Sequence, residues 1–224
     1  LPAGTTPLTL SPWHMADPLE VAAHVTLTLG SSSLLIHSAV GTSTFASWQI
    51  MESLWVSKEL GLNRVVTEQP AYHLLDRRIE NELIPLCQKW GLGIISWAPM
   101  AQAVLAGRYK DPEEYPEESR AALRGGYYAD RVTERGIAVA RKFAELADQI
   151  ELTPAQFAVL WCKDQPGITA PLVGPRTLKQ LEQLIPLLDI ELPLELRTMC
   201  DQLVPPGSAV ADFHNTANWM KMKV

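Results

Sequence analysis

Apolar positions along this chain alternate between short β-branched runs and longer stretches of helical period, which predicts strands followed by helices. In "FASWQIMESLWVSKELGL" the residues Trp48, Met51 and Trp55 recur at i, i+3 and i+7, and Gly61 stops the helix. "NRVVTEQP" reads as a short strand closed by Pro70. "DRRIENELIPLCQKWG" sets Ile79, Leu83, Leu86 and Trp90 on one helical face, with Asp76 as N-cap, Gly91 as stop and a kink expected at Pro85. "LGIISW" is a buried strand, and 101–130 reads as a long loop in which Tyr127 and Tyr128 lie. "RGIAVARKFAELADQ" is an amphipathic helix. "TPAQFAVLWCKDQPG" opens with Thr153 as N-cap, Pro154 first in the helix and Gln156 completing a capping box. "GITAPLVG" is a strand, "RTLKQLEQLIPLL" a helix with a second capping box from Thr177 to Gln180, and "PLELRTMCDQLV" the last helix. The tail 205–224 reads as irregular.

With the opening run 8–13 and "LLIHSAV" added, about five strands alternate with helices. That pattern predicts an α/β fold with a parallel sheet. One domain spans 1–224, and its first 40 residues are atypical. Residues 1–50 hold two charged groups, Asp17 and Glu20, whereas the remaining 174 residues carry the other 42. A crossover helix normally needs a wet charged face. Across 25–29 the β-branched residues alternate as in a strand, so 19–40 is expected to be poorly ordered or non-helical.

Composition narrows the functional classes. Apolar and charged fractions of 47% and 20% are those of an ordinary soluble protein. A net charge of −6 argues against a nucleic-acid partner. No apolar run is long enough for a membrane span, and no signal-peptide pattern opens the chain, so a cytoplasmic location is expected. Cys87, Cys162 and Cys200 lack ligand spacing, which suits buried thiols rather than a metal site.

Ligands of parallel sheets bind at the carboxyl ends of the strands. Those ends read His14, "GTST" 41–44, "EQP" 68–70, "WAPMAQ" 97–102 and "GPRT" 174–177. The last of these opens a helix, where free N–H groups, Arg176 and Lys179 together favour an anion.

Taken in order, these strand ends resemble the aldo-keto reductase family, on its branch near the potassium-channel β-subunit-like proteins. The blocks "GLNRVVTEQPAYHLLDR", "ISWAPMAQAVLAGRY" and "LVGPRTLKQLEQL" carry the likeness. It implies a (β/α)8 TIM barrel of which about the last five βα units lie in this chain. It also implies NADPH-dependent reduction of small aldehydes or ketones. "WHMADP" resembles the end of the family's fourth strand and makes His14 the catalytic histidine. The implied NADP(H)-binding residues are Ser43, Gln69, Trp97, Ala98, Met100, Gly174, Arg176 and Gln180. Arg176 would favour the 2′-phosphate of NADP over the NAD hydroxyl. The family's aspartate, tyrosine and lysine have no counterpart in these 224 residues, and its adenine-side asparagine stands as Leu184. Impaired activity is therefore expected, and a non-catalytic NADP-binding regulatory module or an inactive truncated product are the alternatives. Open sheet edges predict self-association.

Overall fold

The computed structural model describes residues 28–29, 32–33 and 40–214. His14, His24, His37, the run 8–13 and "LLIHSAV" up to residue 39 lie outside the described residues, as does the tail beyond 214. Contacts divide the chain into two units, 1–40 and 41–224. In the first, β1 (Thr28–Leu29) pairs antiparallel with β2 (Ser32–Ser33), in the register Thr28↔Ser33 and Leu29↔Ser32. Of the strand-like stretch expected at 25–29, the described residues 28–29 are extended, and 25–27 lie outside the described residues.

The second unit is built on a four-stranded parallel sheet of β3 (Gly41–Thr42), β4 (Thr67–Glu68), β5 (Gly93–Ser96) and β6 (Ala170–Pro171), ordered 3-4-5-6. Parallel neighbours in sequence order, joined through helices, agree with part of the (β/α)8 barrel that the sequence resemblance implies. The strands are held close at their starts. A Cβ on Gly41 would lie 2.1 Å from the Thr67 hydroxyl, so only glycine permits that approach.

Between β3 and β4 runs α1 (Ser47–Leu60). Its buried residues are Ile50 and Leu54, while Trp48 and Trp55 are 53% and 64% exposed. The expected tryptophan face is therefore the outer one. Apolar side chains surround this helix, so periodicity alone does not choose the buried side. Helix α2 (Leu83–Trp90) is shorter than expected. A single 3-10 turn, Arg78–Glu80, precedes it. Pro85 thus falls in the first turn, where its missing N–H costs no helical bond and no kink is required. Asp76 is not its N-cap, and Trp90 is exposed. Both α1 and α2 end on a left-handed glycine, Gly61 or Gly91, with Leu62 and Leu92 donating back to Ser57 and Cys87 at 2.8 and 2.9 Å.

The expected long loop 101–130 carries structure: a 3-10 turn at Ala101–Ala103, α3 (Arg120–Arg124) and α4 (Tyr127–Asp130). Tyr127 and Tyr128 are therefore helical. Helix α5 (Glu134–Asp148) buries Ile137, Ala140, Phe143 and Leu146 on one face. Helix α6 (Pro154–Lys163) begins with the expected reciprocal cap: Gln156 N–H donates to Thr153 Oγ1 and Thr153 N–H to Gln156 Oε1. The second expected capping box, at α7 (Leu178–Leu184), is only half made. Thr177 accepts from Gln180 N–H, but the Gln180 side chain accepts from Arg176 N–H instead.

Last comes α8 (Leu194–Leu203), tied inward by a buried Arg77. This guanidinium meets Glu80 at 2.7 Å, Asp201 at 2.6 Å and the Val204 carbonyl at 2.8 Å, and lies over the Trp161 ring. The tail 205–214 is irregular in backbone but docked, with Val210 and Ala211 donating to the Leu75 carbonyl. Cys87, Cys162 and Cys200 are free and buried, which pushes their thiols up to about 11, 12 and 12. Among the described residues no helix is long and apolar enough to cross a membrane.

Candidate functional site at the strand ends

Backbone strain marks one end of the sheet. Among the described residues, positive φ at non-glycine positions occurs at Thr44, Ala98, Ala101, Gln102, Ala103 and Glu151. All but Glu151 directly follow β3 or β5. Such backbone costs on the order of 1–3 kcal/mol per residue and persists only where surroundings impose it. Here Ala98 and Met100 carbonyls accept from Ala101 and Ala103 N–H at 2.7 and 2.9 Å, closing tight turns around a fully buried Ala101. Beside it, Gln102 Oε1 is buried with no hydrogen-bond partner.

Three strand ends meet at this point. Gln69 N–H donates to the Thr42 carbonyl at 2.9 Å, and Thr44 N–H to the Gln69 carbonyl at 3.3 Å. The Ser43 hydroxyl also donates to the Gln69 carbonyl, at 2.9 Å. Trp97 N–H donates to the Pro70 carbonyl at 2.8 Å. Ser43, Gln69, Trp97, Ala98 and Met100 are thus brought to adjacent strand ends and remain partly accessible. The Ser43 oxygen keeps lone pairs to accept with, and the Gln69 side-chain amide offers both a donor and an acceptor.

Gly174, Arg176 and Gln180 follow the next strand, β6, and are exposed. The Arg176 side chain is 61% accessible and 4.0 Å from Glu118, itself 79% accessible. An exposed pair of this kind is worth little, so the cation is readily available to an anion. No atom crowds a Cβ built on Gly174.

Several groups at this end went unpredicted. The Arg131 guanidinium is buried and lies 4.8 Å from the Tyr127 and Phe213 rings and 5.3 Å from Trp97. The paired tyrosines are thereby connected to the strand end through one cation. Phe213 is held by Asp76, which accepts from Phe213 N–H at 3.0 Å, from both Arg78 nitrogens at 2.9 and 2.7 Å, and pairs with His214 Nδ1 at 3.1 Å. Burial pushes Asp76 up, but the bonds from Arg78 and His214 outweigh it and hold the carboxyl well below its usual range. His73, fully buried, accepts from Leu75 N–H at Nδ1, which leaves its proton on Nε2 without a partner. Burial pushes this imidazole down to about 3, so it is neutral. Glu68, one residue before Gln69, is fully buried and binds Thr42 Oγ1 and Phe45 N–H. Its available signal was a carboxylate inside a β-branched run. For the Asp76–Phe213 and Arg131 contacts no local signal exists.

Residues 36–205 match the sequence model of the aldo/keto reductase family. An uncharacterized oxidoreductase, YrpG, from Bacillus subtilis is 31% identical over 78% of this chain and 52% of its own length. Probable voltage-gated potassium channel β subunits from Arabidopsis thaliana and from Oryza sativa are each 30% identical over 73% of this chain and 50% of theirs. The chain spans about half the length of these relatives.

Proposed function

The chain belongs to the aldo/keto reductase family, and from that premise we propose that its strand-end site binds the nicotinamide end of NADP(H) for reduction of an aldehyde or ketone. Support comes from one arrangement: Ser43, Gln69 and Trp97 stand on adjacent strand ends, with the strained 98–103 turn beside them. A carboxamide needs an acceptor and a donor together, and Ser43 Oγ with the Gln69 amide supplies both. The partly accessible Trp97 ring, backed by Arg131, offers an apolar surface to a flat ring, with Ala98 and Met100 forming the rim. Arg176 would meet the phosphate, Gly174 lies in open space beside it, and Gln180 braces the Arg176 N–H. When bound, NADPH supplies the hydride. The family likeness gives the catalytic-histidine role to His14, which lies outside the described residues, and the proton donor has no matching position in residues 1–224.

Fluorescence titration tests this reading. NADPH should bind, more tightly than NADH, and Gln69→Leu should weaken both by roughly tenfold, the worth of one hydrogen bond. Absence of binding by either nucleotide refutes it. A second reading is a non-catalytic NADP-binding regulatory module, favoured by the likeness to two plant proteins named as probable channel β subunits; binding without consumption of NADPH by 4-nitrobenzaldehyde would point to it. Self-association belongs to the same proposal, because among the described residues β3 and β6 each have one strand neighbour.

A further inference from the structure

Glu68 is the one fully buried carboxylate at this sheet end that has no cation bonded to it among the described residues. Its two oxygens are spent on the end of β3 and the turn that follows it. Oε2 accepts from the Thr42 hydroxyl, and Oε1 from Phe45 N–H at 3.1 Å. Between these anchors the chain makes a turn with Thr44 at φ 60, a conformation that needs outside restraint. Ser43 Oγ and Thr44 N–H are tied at 2.9 and 3.3 Å to the carbonyl of Gln69, the residue after Glu68. Four successive residues, 42–45, are therefore tethered to two, 68 and 69.

We propose that Glu68 is a positioning residue: a proton-gated clamp that fixes the Thr42–Phe45 turn and, through it, the Ser43 hydroxyl beside Gln69. In the ionised state both oxygens accept, and the bonds from Thr42 and Phe45 are charge-assisted. After protonation one oxygen must donate to Thr42 Oγ1 and the bond from Phe45 becomes an ordinary one. Burial pushes the carboxyl up to about 7, against the bonds from Thr42 and Phe45 that pull it down, so both states are populated near neutrality. Two other titratable groups face it. Cys87 on α2 is neutral there because burial holds its thiol near 11. His214 on the docked tail favours ionised Glu68 whenever it carries a charge.

The nucleotide consequence rests on the proposed function, but the clamp itself does not. In NMR spectra of the whole chain the Phe45 amide resonance should move through one transition with a midpoint near 7. Glu68→Gln keeps an acceptor and a donor and should abolish the transition, while His214→Gln should retain it. Thr42→Val removes a bond that favours the ionised form and should raise the midpoint, which keeps the test open if Glu68→Gln fails to fold. No transition in the unaltered protein, or one that survives Glu68→Gln, overturns the clamp. In parallel, NADPH should bind several-fold more tightly at pH 8 than at pH 6, with that ratio reduced in Glu68→Gln. A ratio identical in the two proteins overturns the nucleotide consequence. Failure of both proteins to bind NADPH overturns the cofactor reading instead, and the amide titration then decides the clamp.

Discussion

Replacing Asp76 by asparagine keeps the shape and removes the charge, which isolates what this carboxylate does for the docked tail. Asp76 is fully buried, and its partners are Arg78 through two bonds, Phe213 N–H and His214. Removing one member of a buried pair costs about 3–5 kcal/mol because a charge is left desolvated. The Arg78 side chain, however, is 30% exposed and also reaches Asp212 at 2.6 Å, so much of its charge can be re-solvated. Asparagine also keeps an acceptor for Phe213 N–H. The expected loss is therefore at or just below the lower limit, about 2–3 kcal/mol at pH 7. Urea unfolding followed by circular dichroism should show a lower midpoint with an unchanged slope. The sign with pH is set by the depressed pKa of Asp76. Its stabilisation is complete above the unfolded-state value of about 4 and fades as pH falls below it. The gap between the two proteins should thus close from pH 5 towards pH 2. A gap under about 0.5 kcal/mol at pH 7, or one that widens on acidification, would refute the reasoning.

Glu68 should show the opposite linkage. Its carboxyl is raised from 4.5 to about 7, so the folded state holds a proton that the unfolded chain has released, and stability should fall as pH rises through that window. The loss is at most about 3 kcal/mol and should be absent in Glu68→Gln, as chemical denaturation at pH 5 and 8 will report. Arg77→Met strands Glu80, whose side chain is 16% exposed, and releases α8; it should cost about 3–5 kcal/mol in urea unfolding, and a loss below 1 would count against the buried pair. Arg176→Ala should remove most of any preference for NADPH over NADH, a change of roughly tenfold to hundredfold for a charge-assisted phosphate contact. Equal dissociation constants in the unaltered protein would defeat that prediction.

Features set within four residues of chain were legible before any fold was known. The Thr153–Gln156 cap and the Gly61 and Gly91 stops follow from local hydrogen bonding and φ/ψ preference, which travel with the sequence, and the strand ends at 43, 69 and 97 from the turn residues that close short β-branched runs. The strand-end list also carried the family likeness, which the match over 36–205 bears out. Only tertiary structure decided the rest. Asp76 has the residue type of an N-cap, yet its partners include Phe213, 137 positions away. Apolar residues ring α1, so tertiary packing rather than the pattern selects Ile50 and Leu54 over Trp48 and Trp55. Gln69 was visible at a strand end. Glu68 beside it became a candidate only when β3 brought Thr42 and Phe45 to its carboxylate, because burial and cross-strand donors exist only in the folded chain.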